Sequence, residues 1–279
     1  MTLSPGYRSD PIRQTTVRVA TWNLWWRFGD RFKERQNAIL RVLKRVDPDL
    51  VSLQEVWESE KACQAELLAR SLGYHWRYAA ASSIGGVGFG NAILSRWPIT
   101  AWERHLLPSQ PSRDGGRNCG YVTAEVDGPR GPLRLYSTHL SYKPEESDIR
   151  QLQVTHLCRD LASRPPLAMP PILAGDFNAV PESDEVRMLT GKRAVPVPGH
   201  AYYDAWEVVC PTDPGFTWER TNPYTHAALE PDRRLDYVFC GRPRPDGAGH
   251  ALSAVRFGLE PVGDVYPSDH YGVLVELRY

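Results

Sequence analysis

Several features that define whole classes of protein are scarce or absent in this sequence. The 279 residues include five cysteines, an odd number with no two close together, which argues against a disulfide framework and a cysteine-type zinc site. No run of about 18 apolar residues occurs, so we expect no membrane span. The first residues lack the apolar segment of a secretory signal peptide. Together these absences predict a cytoplasmic protein with unpaired thiols.

Net charge is also absent, because 33 basic residues balance 33 acidic ones. Proteins that bind nucleic acid often carry a clear basic excess. The neutral balance does not exclude such a partner, but it means that any nucleic acid would have to be held by a local basic patch.

The hydrophobic pattern predicts one domain built from many short strands with helices between them. Residues 1–16 are polar and contain two prolines, so we expect a flexible N-terminal segment followed by a single domain over 17–279. Three-and-four spacing of apolar residues predicts helices at 35–46, 62–72, 147–161 and 184–190. Apolar and β-branched runs predict strands at 17–24, 50–56, 75–80, 91–94, 121–126, 133–138, 172–174, 235–240, 254–259 and 271–278. This mixture favours two packed sheets with helices outside.

Polar residues recur where the predicted strands end. These residues are Asn23, Glu55, His139, Asp176 and Asn178. A carboxylate at the end of an apolar strand costs free energy unless it is paired or bound to a metal. Since strand ends open on one rim in α/β-type sheets, we expect these side chains to meet in one ligand site.

Two further groupings strengthen this expectation. Asp176 and Asn178 are two residues apart, so extended backbone points both side chains to the same side. Asp269 and His270 follow a Pro-Ser turn and precede the last predicted strand, and Asp236 lies at the start of another strand. A histidine beside a buried carboxylate is a common arrangement for orienting an imidazole, although Asp236 could instead form an ion pair with Arg233 or Arg234.

Six motifs in order resemble the endonuclease/exonuclease/phosphatase superfamily, a group that includes deoxyribonucleases, abasic-site endonucleases, deadenylases, inositol polyphosphate phosphatases and neutral sphingomyelinases. The motifs are TWNLWW (21–26), LQEVW (53–57), STHL (137–140), GDFNA (175–179), RRLDYVF (233–239) and SDHYG (268–272). The resemblance extends from about residue 17 to the C-terminus. It implies an α/β (α+β) fold, a four-layer α/β/β/α sandwich of two mixed sheets, with the site at one edge between the sheets.

The resemblance also implies roles for the site residues. Glu55 would be the principal Mg²⁺ ligand, helped by Asn23 and Asp269, and Mn²⁺ fits the same ligand types. Asp176 would activate water or protonate the leaving oxygen, two assignments that compete. Asn178 and His139, with Asn23, would contact the substrate phosphate, and His270 would do the same or act as a base held by Asp236.

Two positions depart from the family pattern. Some relatives have an acidic residue two positions after the first Asn, where this chain has Trp25, which puts a second direct metal ligand in doubt. Relatives also often place an Arg before the STHL motif, and Arg117 cannot be assigned that role from the sequence. Trp25 and Trp26 are compatible with packing or, together with Arg27, with stacking on a base.

The leading hypothesis is a monomeric Mg²⁺-dependent phosphodiesterase that acts on nucleic acid. A small-molecule, phosphoinositide or lipid phosphoester is the alternative substrate, and an inactive binding module on the same fold is an alternative of a different class. We expect the loops at 108–120 and 212–231 to set substrate choice, because loops on a rigid scaffold commonly carry specificity.

Overall fold

The computed structural model describes residues 11–110 and 118–279. In these ranges the strands are β1 (Thr16–Asn23), β2 (Leu50–Glu58), β3 (His75–Ile84), β4 (Val87–Ser95), β5 (Ile99–Leu106), β6 (Gly120–Gly128), β7 (Gly131–His139), β8 (Ile172–Asp176), β9 (Tyr202–Asp204), β10 (Asp236–Gly241), β11 (Ala251–Phe257) and β12 (Gly272–Arg278). The helices are α1 (Phe32–Val46), α2 (Gln64–Leu72), α3 (Ser147–Ser163), α4 (Asp184–Thr190), α5 (Ala205–Val209) and α6 (Pro223–His226).

The strands form two sheets that pack face to face. Sheet 1 has the order β11-β12-β1-β2-β4-β3, and sheet 2 has the order β5-β6-β7-β8-β10-β9. Each sheet is mixed, because β1 is parallel to β2 and β7 is parallel to β8 while the other neighbours are antiparallel. Helices α1 and α2 cover the outer face of sheet 1, and α3 and α4 cover that of sheet 2. The predicted four-layer α/β/β/α sandwich is confirmed.

Burial on both faces explains why the central strands read as continuous apolar runs. Every residue of β8 is buried, and valines and leucines from both sheets fill the space between them. The outer helices bury single stripes, such as Ala38, Ile39, Val42 and Leu43 of α1. Helix α1 ends at Val46, as predicted, and its C-cap Asp47 adopts a left-handed conformation just before Pro48.

The structure departs from the predicted elements mainly at the edges. Strand β5 has no counterpart among the predicted strands because most of its side chains are exposed and it lacks an apolar run. Strand β9 and helices α5 and α6 are too short to produce a periodic pattern. Strands β3 and β4 extend beyond 75–80 and 91–94 into one long hairpin.

The described residues of the N-terminal segment that we expected to be flexible are hydrogen-bonded to the rest of the domain. The Arg13 amide donates to the Asp246 carbonyl (2.9 Å), and the Tyr279 amide donates to the Thr15 carbonyl (2.8 Å). Thr16 already belongs to β1. Residues 11–15 are therefore held against the sandwich, and residues 1–10 lie outside the described residues.

All five cysteines are unpaired, as expected. Within the described ranges, no helix has the length and apolar character needed to cross a membrane.

Candidate active site

The strand register brings the predicted site residues to one rim of the sandwich. In sheet 2, His139 at the end of β7 lies opposite Asp176 at the end of β8, and Asp176 lies opposite Asp236 at the start of β10. In sheet 1, Asn23 ends β1 beside Gln54, and Glu55 follows. The two rows face each other across the gap between the sheets, so residues far apart in sequence line a single cleft.

A β-bulge directs Glu55. Leu53 pairs with Ala92 and Val56 pairs with Gly90, so β2 has one more residue than β4 over this stretch. Glu55 takes the left-handed conformation (φ 53°), which is costly for a residue with a side chain. Bulges re-aim side chains next to functional sites, and this one takes Glu55 out of the regular alternation of β2.

Asp176 is the centre of the hydrogen-bond network. The Asn178 amide donates to Asp176 Oδ1 (2.9 Å), and Asn23 Nδ2 donates to Asp176 Oδ2 (3.0 Å). The Nε2 atoms of His139 and His270 lie 3.6 and 3.8 Å from the same Oδ2. Asp176 is therefore a buried carboxylate with donors on both oxygens.

Gly175 allows β7 and β8 to approach closely at this point. A Cβ atom on Gly175 would lie 2.0 Å from the Thr138 carbonyl oxygen, so no other residue fits without moving a strand. The glycine of the GDFNA motif thus sets the distance between His139 and Asp176. Asn178 has a positive φ of 49° and donates its Nδ2 to the Leu140 carbonyl (3.0 Å), which fixes its side chain at the cavity wall.

His270 and Asp236 form a buried pair. His270 Nδ1 lies 2.9 Å from Asp236 Oδ2, and the Trp22 indole donates to the His270 carbonyl (2.9 Å). Burial alone would lower the pKa of His270, but the charges of Asp236 and Asp176 raise it to about 10. Burial in turn raises the pKa of Asp236, which the His270 charge opposes. The imidazole is therefore held as a cation with Nε2 directed towards Asp176.

The alternative ion pairs for Asp236 are not formed. Arg234 Nη1 bonds to Asp204 (2.5 Å), and Arg233 pairs with Glu230. Among the described residues, Asp236 Oδ1 has no hydrogen-bond partner, which leaves His270 as the cationic side chain that contacts this carboxylate. The geometry favours the orienting role for Asp236 over a structural salt bridge.

The residues expected to hold a metal fit that task. Glu55 Oε2 is buried with no hydrogen-bond partner among the described residues. Burial, together with the Glu55 charge, raises the pKa of Asp269 to about 7, although the charges of His270 and Arg35 oppose the change. A half-buried glutamate with an unpartnered oxygen beside a buried aspartate suits a hard divalent ion such as Mg²⁺ or Mn²⁺.

Asp176, Asp236 and His270 also form a group whose ligand atoms lie within 4.8 Å of one another. This group is the weaker candidate for a cation, since the pKa of His270 is raised and a protonated imidazole cannot donate a lone pair to an ion. The Asn23 side chain turns its nitrogen, not its oxygen, towards the carboxylates of the site. Its Nδ2 donates to Glu55 Oε1 (3.2 Å) as well as to Asp176, and its Oδ1 accepts from the Trp25 amide (2.9 Å).

A cavity of about 270 Å³ lies over these groups. Five aromatic side chains contribute to its walls: Trp25, Phe28, Phe89, Tyr142 and Trp218. Both loops expected to set specificity contribute, Asn118 to Gly120 from the first and Trp218 and Glu230 from the second. Arg117 lies outside the described residues.

Two contributors were missed by the sequence analysis. Asn91 of β4 is 3% exposed and lines the cavity, and Phe89 of the same strand faces His139 with a ring-centroid distance of 6.0 Å. The signal for Asn91 was present, because asparagine is depleted in strands and here interrupts an apolar one.

The segment after β1 is held by a buried arginine. Arg35 of α1 is fully buried, and its guanidinium donates to the carbonyls of Leu24, Trp25, Trp26, Phe28 and Pro267. It also lies 4.6 Å from the centre of the Trp25 ring. Trp22 and Trp26 are buried packing residues, whereas Trp25 lines the cavity.

Comparisons with known proteins agree with this geometry. The Drosophila melanogaster protein angel is 26% identical over 169 residues, which cover 58% of this chain and 48% of the fly protein. The inositol phosphosphingolipids phospholipase C of Schizosaccharomyces pombe is 27% identical over 209 residues, 70% of this chain and 47% of the yeast protein. The matched regions thus span less than half the length of these curated relatives.

Among solved structures, Danio rerio TDP2 complexed with single strand DNA product superposes with a TM-score of 0.78 at 19% identity, and the match covers 95% of this chain and 100% of that one. This likeness shows the same fold. The sequence model of the Endonuclease/Exonuclease/phosphatase family matches residues 20–270, from β1 to His270. The chain belongs to the Endonuclease/Exonuclease/phosphatase family.

Proposed function

We propose that this protein hydrolyses phosphodiesters with a bound divalent cation and that nucleic acid is its substrate. The observation that carries the proposal is that two groups of side chains meet in one cleft. The first group is the pair of carboxylates Glu55 and Asp269. The second is His270 between the carboxylates of Asp176 and Asp236. The first group suits a cation and the second suits proton transfer and charge stabilisation at phosphorus.

Glu55 and Asp269 would hold Mg²⁺ or Mn²⁺, with Asn23 beside them, and the ion would neutralise charge on the phosphate oxygens. Asn23 has a second task, since its amide bridges the Glu55 and Asp176 carboxylates and keeps them apart at a fixed distance. Ser268 Oγ donates to the Asn23 carbonyl (2.7 Å) and lies 3.2 Å from Asp269 Oδ1, so it links the segment that carries Asn23 to Asp269.

The remaining residues would act on the substrate directly. His270, protonated at Nε2 and held at Nδ1 by Asp236, donates to a non-bridging phosphate oxygen as negative charge develops there. His139 supplies a further donor on the sheet 2 side, and so does the second N–H of the Asn178 side-chain amide, whose first N–H bonds to Leu140. Asp176 holds or releases the proton that moves to or from the attacking water or leaving oxygen.

Two relatives guide the choice of substrate. The TDP2 structure with the same fold contains a single-strand DNA product, which supports nucleic acid. The similarity to an inositol phosphosphingolipids phospholipase C, together with the five aromatic side chains in the cavity wall, supports a lipid or small-molecule phosphodiester as the second candidate. We further propose that residues 17–279 act as one domain and that the protein is a cytoplasmic monomer.

The test is hydrolysis across a substrate panel in Mg²⁺, in Mn²⁺ and in EDTA. The panel contains single- and double-stranded DNA, RNA, abasic-site DNA, inositol polyphosphates, sphingomyelin and bis(p-nitrophenyl) phosphate. Glu55→Gln and His270→Ala are expected to abolish hydrolysis and to retain the fold. Glu60→Gln, an exposed glutamate nearby in sequence, is the matched control and should leave activity unchanged.

Each outcome decides a different part of the proposal. Metal-dependent cleavage of a nucleic acid that is lost in Glu55→Gln supports the site and the substrate together. Cleavage of the lipid, an inositol phosphate or the generic diester alone keeps the site and moves the substrate to the second candidate. Full activity in both site variants overturns the site, and inactivity of the wild type on the whole panel favours a binding module.

A further inference from the structure

A groove lies beside the active-site cleft, on the side of the sandwich where β3 and β5 form the sheet edges. In sheet 2, His139 of β7 pairs with Gly120 of β6, and Gly120 pairs with Leu106 of β5, so these three residues form a row across the sheet. In sheet 1, Asn91 of β4 lies opposite the Glu55 bulge and pairs with Ala79 of β3. Both rows of residues end at the edge strands β3 and β5, so the gap between the sheets opens sideways there.

This gap holds a second cavity of about 280 Å³ beside the first. The two cavities share Ala81, Asn91 and Gly120 in their walls. Gly120 packs closely at this junction, since a Cβ atom on it would lie 2.7 Å from the His105 carbonyl oxygen and 3.3 Å from Ala81 Cβ. The groove is lined by Ala79, Ala80 and Ala81 on one side and by β5 on the other.

Polar groups without partners point to a ligand in this groove. Asn91 at the junction is 3% exposed, and its Oδ1 has no hydrogen-bond partner in the described part of the chain, although its Nδ2 donates to the Gly120 carbonyl (2.7 Å). Arg104 lines the groove and is exposed, and within residues 11–110 and 118–279 it forms no ion pair. An unpaired arginine and a buried amide suit a phosphate with an attached polar group.

Successive side chains of β5 point to opposite faces of sheet 2, so Trp102 and Arg104 lie on a different face from Glu103 and His105. Glu103 pairs with Arg164 and with His105, and the His105 ring stacks on Tyr121. Trp102 and Arg104 alternate with them and lie on the other face. Trp102 is 41% exposed, and Arg77 of β3 lies over its ring at 5.9 Å. An exposed indole next to an arginine is a platform on which a base can stack.

We propose that this groove and the adjoining face of β5 bind the segment of a single nucleic-acid strand that flanks the scissile phosphodiester, with Arg104 in the groove on a flanking phosphate and Trp102 beside it stacked on a base. The inference rests on the proposed function and adds the path of the strand to it. Arg104 is two strands and two residues away from His139, about 12 Å between Cα atoms from standard sheet spacings. The flanking phosphate is therefore near the scissile one.

The experiment measures binding separately from catalysis. Fluorescence anisotropy of a labelled oligothymidylate of about ten nucleotides, a length that spans a typical single-strand site, is followed in EDTA at several salt concentrations. Arg104→Ala should weaken binding about fourfold near 0.15 M salt and lower the slope of log K against log [salt] by about 0.7, the value for one phosphate contact on a single strand. Arg104→Lys should restore most of the slope, and Trp102→Ala should weaken binding at least about fivefold with little change in slope.

Arg41→Ala is the matched control, because Arg41 is an exposed arginine on α1, on the outer side of sheet 1. It should leave affinity and slope unchanged. If Arg104→Ala and Arg41→Ala have the same affinity and slope, or if the wild type does not bind the oligonucleotide at all, the groove proposal is overturned. The proposed hydrolysis fails on different evidence, namely the absence of metal-dependent cleavage that Glu55→Gln removes.

Discussion

Replacing Asp269 with asparagine tests the electrostatics of the proposed metal site in the absence of metal. Burial raises the pKa of Asp269 to about 7, and the neighbouring Glu55 charge acts in the same direction. The folded protein therefore holds the proton of this carboxyl more tightly than the unfolded chain does. For an acid this means that the free energy of unfolding falls as pH rises between the unfolded and the folded pKa values.

The magnitude follows from the same shift. A pKa of about 7, compared with about 3.9 for an unperturbed aspartate, corresponds to a cost of about 4 kcal/mol once the group is fully ionised. About half of this, ~2 kcal/mol, is lost between about pH 5.5 and about pH 8. Asparagine has no such charge, so the Asp269→Asn variant should lack this part of the pH dependence and be the more stable protein at about pH 8.

Urea unfolding in EDTA at the two pH values measures the difference between wild type and variant. Asp127→Asn, at an exposed position on β6, is the control and should follow the wild type. Saturating Mg²⁺ should stabilise the wild type by about 3 kcal/mol at a hundred times its Kd and leave Asp269→Asn nearly unchanged. The reasoning is refuted if wild type and Asp269→Asn lose the same stability between the two pH values.

Three further changes probe the parts of the site that act through geometry. Gly175→Ala should lower the free energy of unfolding by at least ~2 kcal/mol and reduce hydrolysis, because the new Cβ would overlap the Thr138 carbonyl; unchanged urea stability would show that β7 and β8 do not need this close approach. Asp236→Asn should lower kcat about 10²- to 10⁴-fold with little change in KM, because His270 loses the charge that orients it; an intact kcat in steady-state assays would remove Asp236 from the mechanism. Arg35→Lys should lower the free energy of unfolding by about 2 kcal/mol or more, because an ammonium group cannot reach all five carbonyls; an unchanged melting temperature would argue that these bonds do not hold the segment after β1.

The sequence predicted which residues meet at one rim because their positions follow a simple rule. Asn23, His139 and Asp176 end apolar strands, and parallel strands with a common direction bring such ends together. The central strands were found for the same reason, since burial on both faces leaves an apolar run. The sandwich architecture follows once strands and helices alternate in this way.

What the sequence did not reveal depends on contacts between distant segments. The left-handed conformation of Glu55 arises from a bulge against β4, and no local pattern marks it. Arg35 reads as one more charged residue of an amphipathic helix, although it is fully buried because five carbonyls surround it. Most side chains of strand β5 are exposed, so its sequence lacks the apolar pattern of a strand. It is a strand because its backbone pairs with β6.

The pairing of β1 with β12 has a consequence for how this chain acquires activity. β1 lies between β2 and β12, and Thr16 and Glu276 are hydrogen-bonded although they are 260 positions apart. During synthesis from the N-terminus, β1 therefore waits with one edge open until nearly all of this sequence has been made. Asp269 and His270 directly precede β12, so the ribosome must deliver the two groups furthest along the site before either sheet 1 or the catalytic array is complete. Sheet 1 and the candidate site are thus completed together, once β12 has been made.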